Sequence, residues 1–175
     1  MTEPPATPAY QDTPNARDDT DTTPAIEAAR AAGIDFDVRR IGRVRSLEEA
    51  AAAFGIEPRD LIKTLVVRKS EGEHVFVLVP GDRVFSWAKV RQLLGTNRIS
   101  MPDAAAAQEV TGYERGTITP FGAKERLPVI ADPHLVGRRI NLGGGAHGVG
   151  LTVNGDDVIR LFDATVADIS DTPAG

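Results

Sequence analysis

Cysteine is absent from the 175 residues, so the chain has no disulfide framework, thiolate metal site or thiol nucleophile. Histidine is nearly as scarce. His74, His134 and His147 are the only three, far apart and without the HExxH or paired spacing that holds a metal. Neither a metal nor a cofactor is expected. Aromatic residues make up 5% of the chain, with one tryptophan, and no basic stripe interleaves with them as on single-strand-binding surfaces. No apolar run approaches the roughly 20 residues that span a bilayer. The N-terminus also lacks the basic, apolar, small-residue order of a signal peptide. These absences lead to the expectation of a cytoplasmic protein that engages neither membrane nor DNA.

The formal charge of −5 is uneven. Residues 1–23 carry Glu3, Asp12, Asp18, Asp19 and Asp21 against Arg17 alone, which leaves the remainder close to neutral. A near-neutral body does not announce nucleic-acid binding by its total, although a local patch can. The same opening stretch is rich in Pro, Thr and Asp and has almost nothing large to bury, so ordering it costs more entropy than burial returns. It is expected to be a disordered tail over 1–22, followed by one domain over 23–170 and a short C-terminal tail over 171–175.

Within that domain, "TPAIEAARAAG" offers Thr23 as N-cap, Pro24 at the first helical position and Gly33 as terminator. In "SLEEAAAAFG", Ser46 and Glu49 stand at capping-box spacing before an alanine-rich body and Gly55. "IKTLVVRK" and "HVFVLVP" read as a hairpin around "SEGE". Further helices are expected in "SWAKVRQLLG", with Trp87 packed in the core beside Val90, Leu93 and Leu94, and in "PDAAAAQEVTG". "LPVIAD", "RINL", "VGLTV" and "ATVADI" read as later strands, with a helical turn in "NGDDVIRLF". Strands that outnumber helices and come mostly as hairpins favour an α+β domain with a mixed, curved or barrel-like β-sheet and flanking helices over a doubly wound parallel one.

Three features could carry chemistry. Lys63 begins an otherwise apolar strand. A lysine there is ordinarily an edge or snorkelling residue, but it can also be a cation set at the mouth of a sheet to meet a phosphate or carboxylate. "RGTITPFG", residues 115–122, spends two glycines and a proline on a short loop. It either turns the chain or forms a stiff backbone wall, with Gly116 allowing close approach and Pro120 holding the shape. "NLGGGAHGVG", residues 141–150, crowds glycines around His147 but lacks the phosphate-loop pattern and its following helix. Asp132 before Pro133 reads as a turn or cap. No Ser–His–Asp arrangement is recognisable.

In their order, "SLEEAAAAFGIEPRDLIKTLVV", "GDRVFSWAKVRQLLG", "TGYERGTITPFG", "LPVIAD" and the late glycine loop resemble the YbaK/prolyl-tRNA synthetase editing-domain superfamily of aminoacyl-tRNA deacylases, over about residues 24 to 169. The resemblance implies a single α+β domain on a mixed, barrel-like sheet. It also implies Lys63 as the catalytic lysine, and a GxxxP loop of Gly116, Thr117, Ile118, Thr119 and Pro120 that cradles the substrate. The glycine loop, with Gly144, Gly145 and His147, would close the pocket. The implied activity is trans-acting hydrolysis of the ester of mischarged tRNA. The partner is the 3′ aminoacyl-adenosine end of aminoacyl-tRNA, with a tRNA synthetase as a further partner. A non-catalytic aminoacyl-tRNA or nucleotide binding module is the alternative. The Cys-tRNA(Pro) deacylase branch tends to carry a small hydroxyl residue before this loop and an acidic residue just beyond it, where this sequence has Gly143 and Gly150.

Overall fold

In a computed structural model that describes residues 22–173, side-chain oxygens start four helices. Thr23 caps α1 (Pro24–Ala32), Ser46 caps α2 (Leu47–Phe54), Ser86 caps α3 (Trp87–Leu94) and Asp103 caps α4 (Ala104–Thr111). Each accepts from the backbone N–H three residues on, which satisfies a donor that the first helical turn leaves unpaired. The capping box of α2 is offset by one residue, because the Glu49 carboxylate accepts from Arg45 N at 2.8 Å. All four helices end on a glycine in the left-handed region, as the sequence predicts. A fifth helix, α5 (Gly155–Leu161), fills the expected helical turn. No helix among the described residues is long and apolar enough to cross a membrane.

Among the described residues nine strands make three small sheets. β1 (Phe36–Arg40), β7 (Val149–Asn154) and β6 (Arg139–Gly143) form one antiparallel sheet in the order β1-β7-β6. β2 (Ile62–Ser70) and β3 (Glu73–Pro80) form the predicted hairpin. β5 (Val129–Ala131) then adds parallel to β3, and β8 (Thr165–Val166) adds parallel to β5, so this sheet is mixed. β4 (Val84–Phe85) pairs only with β9 (Ser170–Asp171). The two larger sheets stay open and meet at a single parallel bridge, Leu61 to Asn141.

Apolar side chains on the two faces of β3 feed two cores. Phe76 and Leu78 join Ile26, Phe121, Leu142 and Leu151 between the sheets and α1. Val75, Val77 and Val79 join Val67, Val90 and Ile169 beneath α3.

Three expectations need correction. "FDVRR" is a strand that the sequence reading missed, because only Val38 of its five residues is buried and no alternation shows. The pairing is less hairpin-dominated than expected, since β3, β5 and β8 run parallel, and "ATVADI" contributes only the short β8. Trp87 is not core: it is 42% exposed and packs edge-on against Phe85 at 5.2 Å between centroids, while Val90, one turn on, faces the interior. The expected N-terminal tail lies outside the described residues apart from Thr22, whereas the first residue of the expected C-terminal tail, Asp171, belongs to β9.

Candidate functional site

β2 is the outer strand of its sheet, and a cleft of about 1230 Å³ runs along its unpaired edge. Arg68 N and O both bond to Ser100, on the side away from β3. By the alternation of antiparallel pairing, the main-chain N–H and C=O of Thr64 and Val66 therefore also point away from β3, toward the cleft. Across the opening stand the loop 41–46, the inner face of α2, the start of α4, the Gly116 loop and the glycine loop.

Lys63 lines this cleft. Its Nζ donates to the Arg83 carbonyl at 2.6 Å. Burial pushes the ammonium below the usual lysine value of 10.5, and the nearby carboxylates of Asp82 and Glu48 oppose that shift. The carbonyl is itself held in place. Arg83 Nε donates to Ser170 Oγ at 2.7 Å and Nη2 to Ser170 O at 3.2 Å. The Ser170 hydroxyl donates to the fully buried carboxylate of Asp132. The other oxygen of Asp132 accepts from His134 N at 2.9 Å and contacts His134 Nδ1, so Asp132 is the predicted cap and also the end of a chain leading to Lys63.

The Gly116 loop and the glycine loop, which line the cleft with Lys63, touch each other through their main chains. A Cβ on Gly143 would lie 2.9 Å from Ile118 O, so the residue is glycine because the two backbones touch. Gly148 does the same for the loop 41–46: Ile41 N donates to its carbonyl at 2.8 Å, and a Cβ there would lie 2.5 Å from Ile41 O.

Of the residues expected to bind substrate, Gly116, Ile118 and His147 line the cleft together with Lys63. His147 is exposed, rests over Gly116 and contacts Glu114 Oε2 at 3.2 Å. Thr117, Thr119 and Pro120 are buried behind the wall. The Thr117 hydroxyl donates to Glu114 O and the Thr119 hydroxyl accepts from Phe121 N, so both brace the loop from within. Gly144 and Gly145 also lie behind it. Gly144 O accepts from Thr23 Oγ1 at 2.6 Å, and Gly145 packs on the Tyr113 ring. Burial pushes the Tyr113 phenol up to about 12, so it stays a donor, to Phe121 O at 2.7 Å.

Sequence reasoning missed Arg43, Arg45, Arg115 and Asn141, all of which line the cleft. The run "RRIGRVR" at 39–45 was a usable signal, a basic cluster hidden by the near-neutral total. Among the described residues the guanidinium groups of Arg43, Arg45 and Arg115 are exposed and have no partner. No group of three or more metal-ligating side chains comes together among the described residues.

A family model described as an aminoacyl-tRNA editing domain matches residues 42–161, which contain the whole of this cleft except Ile41. A proline–tRNA ligase of a Thermoanaerobacter species is 32% identical over 135 residues, 75% of this chain and 23% of that enzyme. The corresponding ligase of Bacillus licheniformis is 37% identical over 89 residues, 51% of this chain and 15% of the ligase. The chain thus spans less than a quarter of the length of these relatives. Among solved structures, one described as a proposed trans-editing enzyme for prolyl-tRNA synthetase superposes with a TM-score of 0.78 at 25% identity, covering 85% of this chain and 95% of that one. A hypothetical protein matches equally well, with a TM-score of 0.78 at 26% identity over 85% of this chain and all of the other. With its fold, its cleft and most of its length matched, the chain belongs to the aminoacyl-tRNA editing domain family.

Proposed function

We propose that the protein is a trans-acting aminoacyl-tRNA deacylase of the cytoplasm, which hydrolyses the ester between a wrongly attached amino acid and the terminal ribose. One observation supports this reading above the others: a lysine held by a main-chain carbonyl opens into a cleft walled by Gly116, Ile118 and Gly143. An aminoacyl ester is already activated. Its hydrolysis needs a positioned water and donors for the developing oxyanion, which backbone N–H groups and one cation can supply. Lys63 binds the phosphate or ribose of the terminal adenosine, while the Gly116–Pro120 loop shapes the pocket around the amino acid. The vicinal ribose hydroxyl orients the water, which adds to the carbonyl. Collapse of the tetrahedral intermediate releases the ribose oxygen, which takes up a proton. Arg43, Arg45 and Arg115 at the rim suit the phosphates of the acceptor end.

The test is single-turnover deacylation of a panel of aminoacyl-tRNAs by wild type and Lys63→Ala, with a deoxy-terminated tRNA as control. Loss of most activity in a folded Lys63→Ala variant is expected. Wild-type rates in that variant would remove the catalytic assignment, and tight binding without turnover would favour a non-catalytic aminoacyl-tRNA module.

A further inference from the structure

The cleft that Lys63 lines also holds a buried amide whose N–H has no partner, directly opposite Thr152, whose Oγ1 is likewise unpaired. Asn141 is 2% exposed, lines the cleft, and its Nδ2 is buried without a hydrogen-bond partner among the described residues. The space it occupies is reserved for it. A Cβ on Gly150, across the strand pair, would lie 2.7 Å from both amide heteroatoms of Asn141 and 2.9 Å from the Phe54 ring. An unpaired buried amide N–H is costly to keep, and an apolar side chain of similar shape would avoid that cost. Its place in the cleft indicates a ligand that completes it.

We infer that Asn141 is the specificity-determining donor of the aminoacyl pocket, and that the amino acid it selects carries a short side chain with a hydroxyl oxygen. The inference rests on the deacylase reading for the direction in which substrate lies. The unpartnered arginines and Lys63 mark the end that meets phosphate and ribose. Asn141, bridged to Leu61 and packed with the Phe54 ring over Gly150, is assigned to the end of the amino acid side chain. A methyl group placed there leaves the amide unpaired, whereas a hydroxyl oxygen of the same reach accepts from it. Discrimination therefore comes from a missing hydrogen bond, which rejects analogues far better than a missing methylene does. Thr64 Oγ1 is also buried without a partner and lines the cleft, but it lies on the face of β2 that carries Ile62 and Val66, opposite to Lys63.

Two hydrolysis-resistant probes that differ by one hydroxyl isolate the effect: 3′-deoxy-3′-(L-serylamino)adenosine and its L-alanyl counterpart, titrated calorimetrically. Wild type is expected to bind the seryl probe at least about tenfold more tightly. Asn141→Leu should abolish that preference while keeping or raising the melting temperature, because it removes an unpaired amide. Thr64→Val, on the opposite face of β2 from Lys63, should leave the seryl preference in place. Equal binding of the two probes by wild type overturns the inference, and this measurement needs no variant. Asn141→Leu weakening both probes equally, with the effect gone for 2′-deoxy probes, would assign the amide to the ribose and overturn it as well. A seryl preference without hydrolysis of any aminoacyl-tRNA leaves this inference standing and removes the deacylase reading. Hydrolysis of seryl and alanyl esters alike, with equal probe binding, does the reverse.

Discussion

Lys63 combines a charge with partial burial, and the combination has consequences that can be measured. Because burial lowers its pKa in the folded state, the folded protein disfavours the ammonium relative to the unfolded chain. At pH values where lysine is charged in both states that penalty is present in full. It is relieved as pH rises from the lowered folded value toward 10.5. Lys63→Met should therefore keep or raise the melting temperature at neutral pH while abolishing deacylation. A clear fall in melting temperature would show that the bond to Arg83 O outweighs the burial cost. The same shift fixes the sign of the rate profile. A charged anchor loses activity as pH rises through the lowered value, so the falling limb should lie below 10.5, with little change between about pH 6 and 8. A rate that climbs across that window would make Lys63 a general base instead. At this scale the sequence revealed what local pattern can reveal: a lysine opening an apolar strand, and glycines where two backbones touch. Asn141 gave no such signal, because an asparagine in "RINL" becomes notable only when its neighbours leave its amide unpaired. Trp87 misled, since helical spacing places it on the stripe of Val90 and Leu93 without showing that Val90 alone of α3 is buried.

Elements were legible wherever their ends carry chemistry. Each capped helix begins and ends where its Ser, Thr, Asp and Gly residues require. β1 was not legible, because its burial comes from β7, more than a hundred residues away in sequence. Nor was the connection that steadies Lys63. It passes from β2 to Arg83, to Ser170 on β9 and to Asp132 after β5, and no spacing announces contacts this long-ranged. Ser170→Ala tests it. The variant removes the hydroxyl that donates to Asp132 and accepts from Arg83 Nε, leaving a buried carboxylate oxygen short of a donor. Urea denaturation should show a loss of about 1–3 kcal/mol. Freed from Ser170 Oγ, Arg83 no longer holds its carbonyl against Lys63, so the single-turnover rate should fall several-fold without a change in the shape of the pH profile. An unchanged rate in a destabilised protein would confine the network to stability.

The whole molecule is acidic by −5, yet it presents Arg43, Arg45 and Arg115 at the mouth of one cleft. An anionic polymer approaching at random meets mostly repulsion or neutrality, whereas one entering the cleft meets cations without competing partners. Total charge hid this arrangement because residues 1–23 account for most of the negative balance, while the arginines come together only when the loop at 41–46 is tied to Gly148 beside the Gly116 loop. Binding of an acceptor-end RNA should therefore weaken with salt. The slope of log affinity against log salt is about −0.7 for each phosphate neutralised on a single strand. A double variant, Arg43→Ala with Arg45→Ala, should flatten the slope by about 1.4 if each arginine meets one phosphate. It should also raise the substrate concentration needed for half-maximal deacylation while leaving the rate at saturation near wild type, since neither side chain reaches the ester in the proposed arrangement. Filter binding across a salt series, read beside saturation kinetics, separates the outcomes. An unchanged salt slope would mean that the acceptor end enters from another side, and a collapse of the saturated rate would bring the arginines into the chemistry.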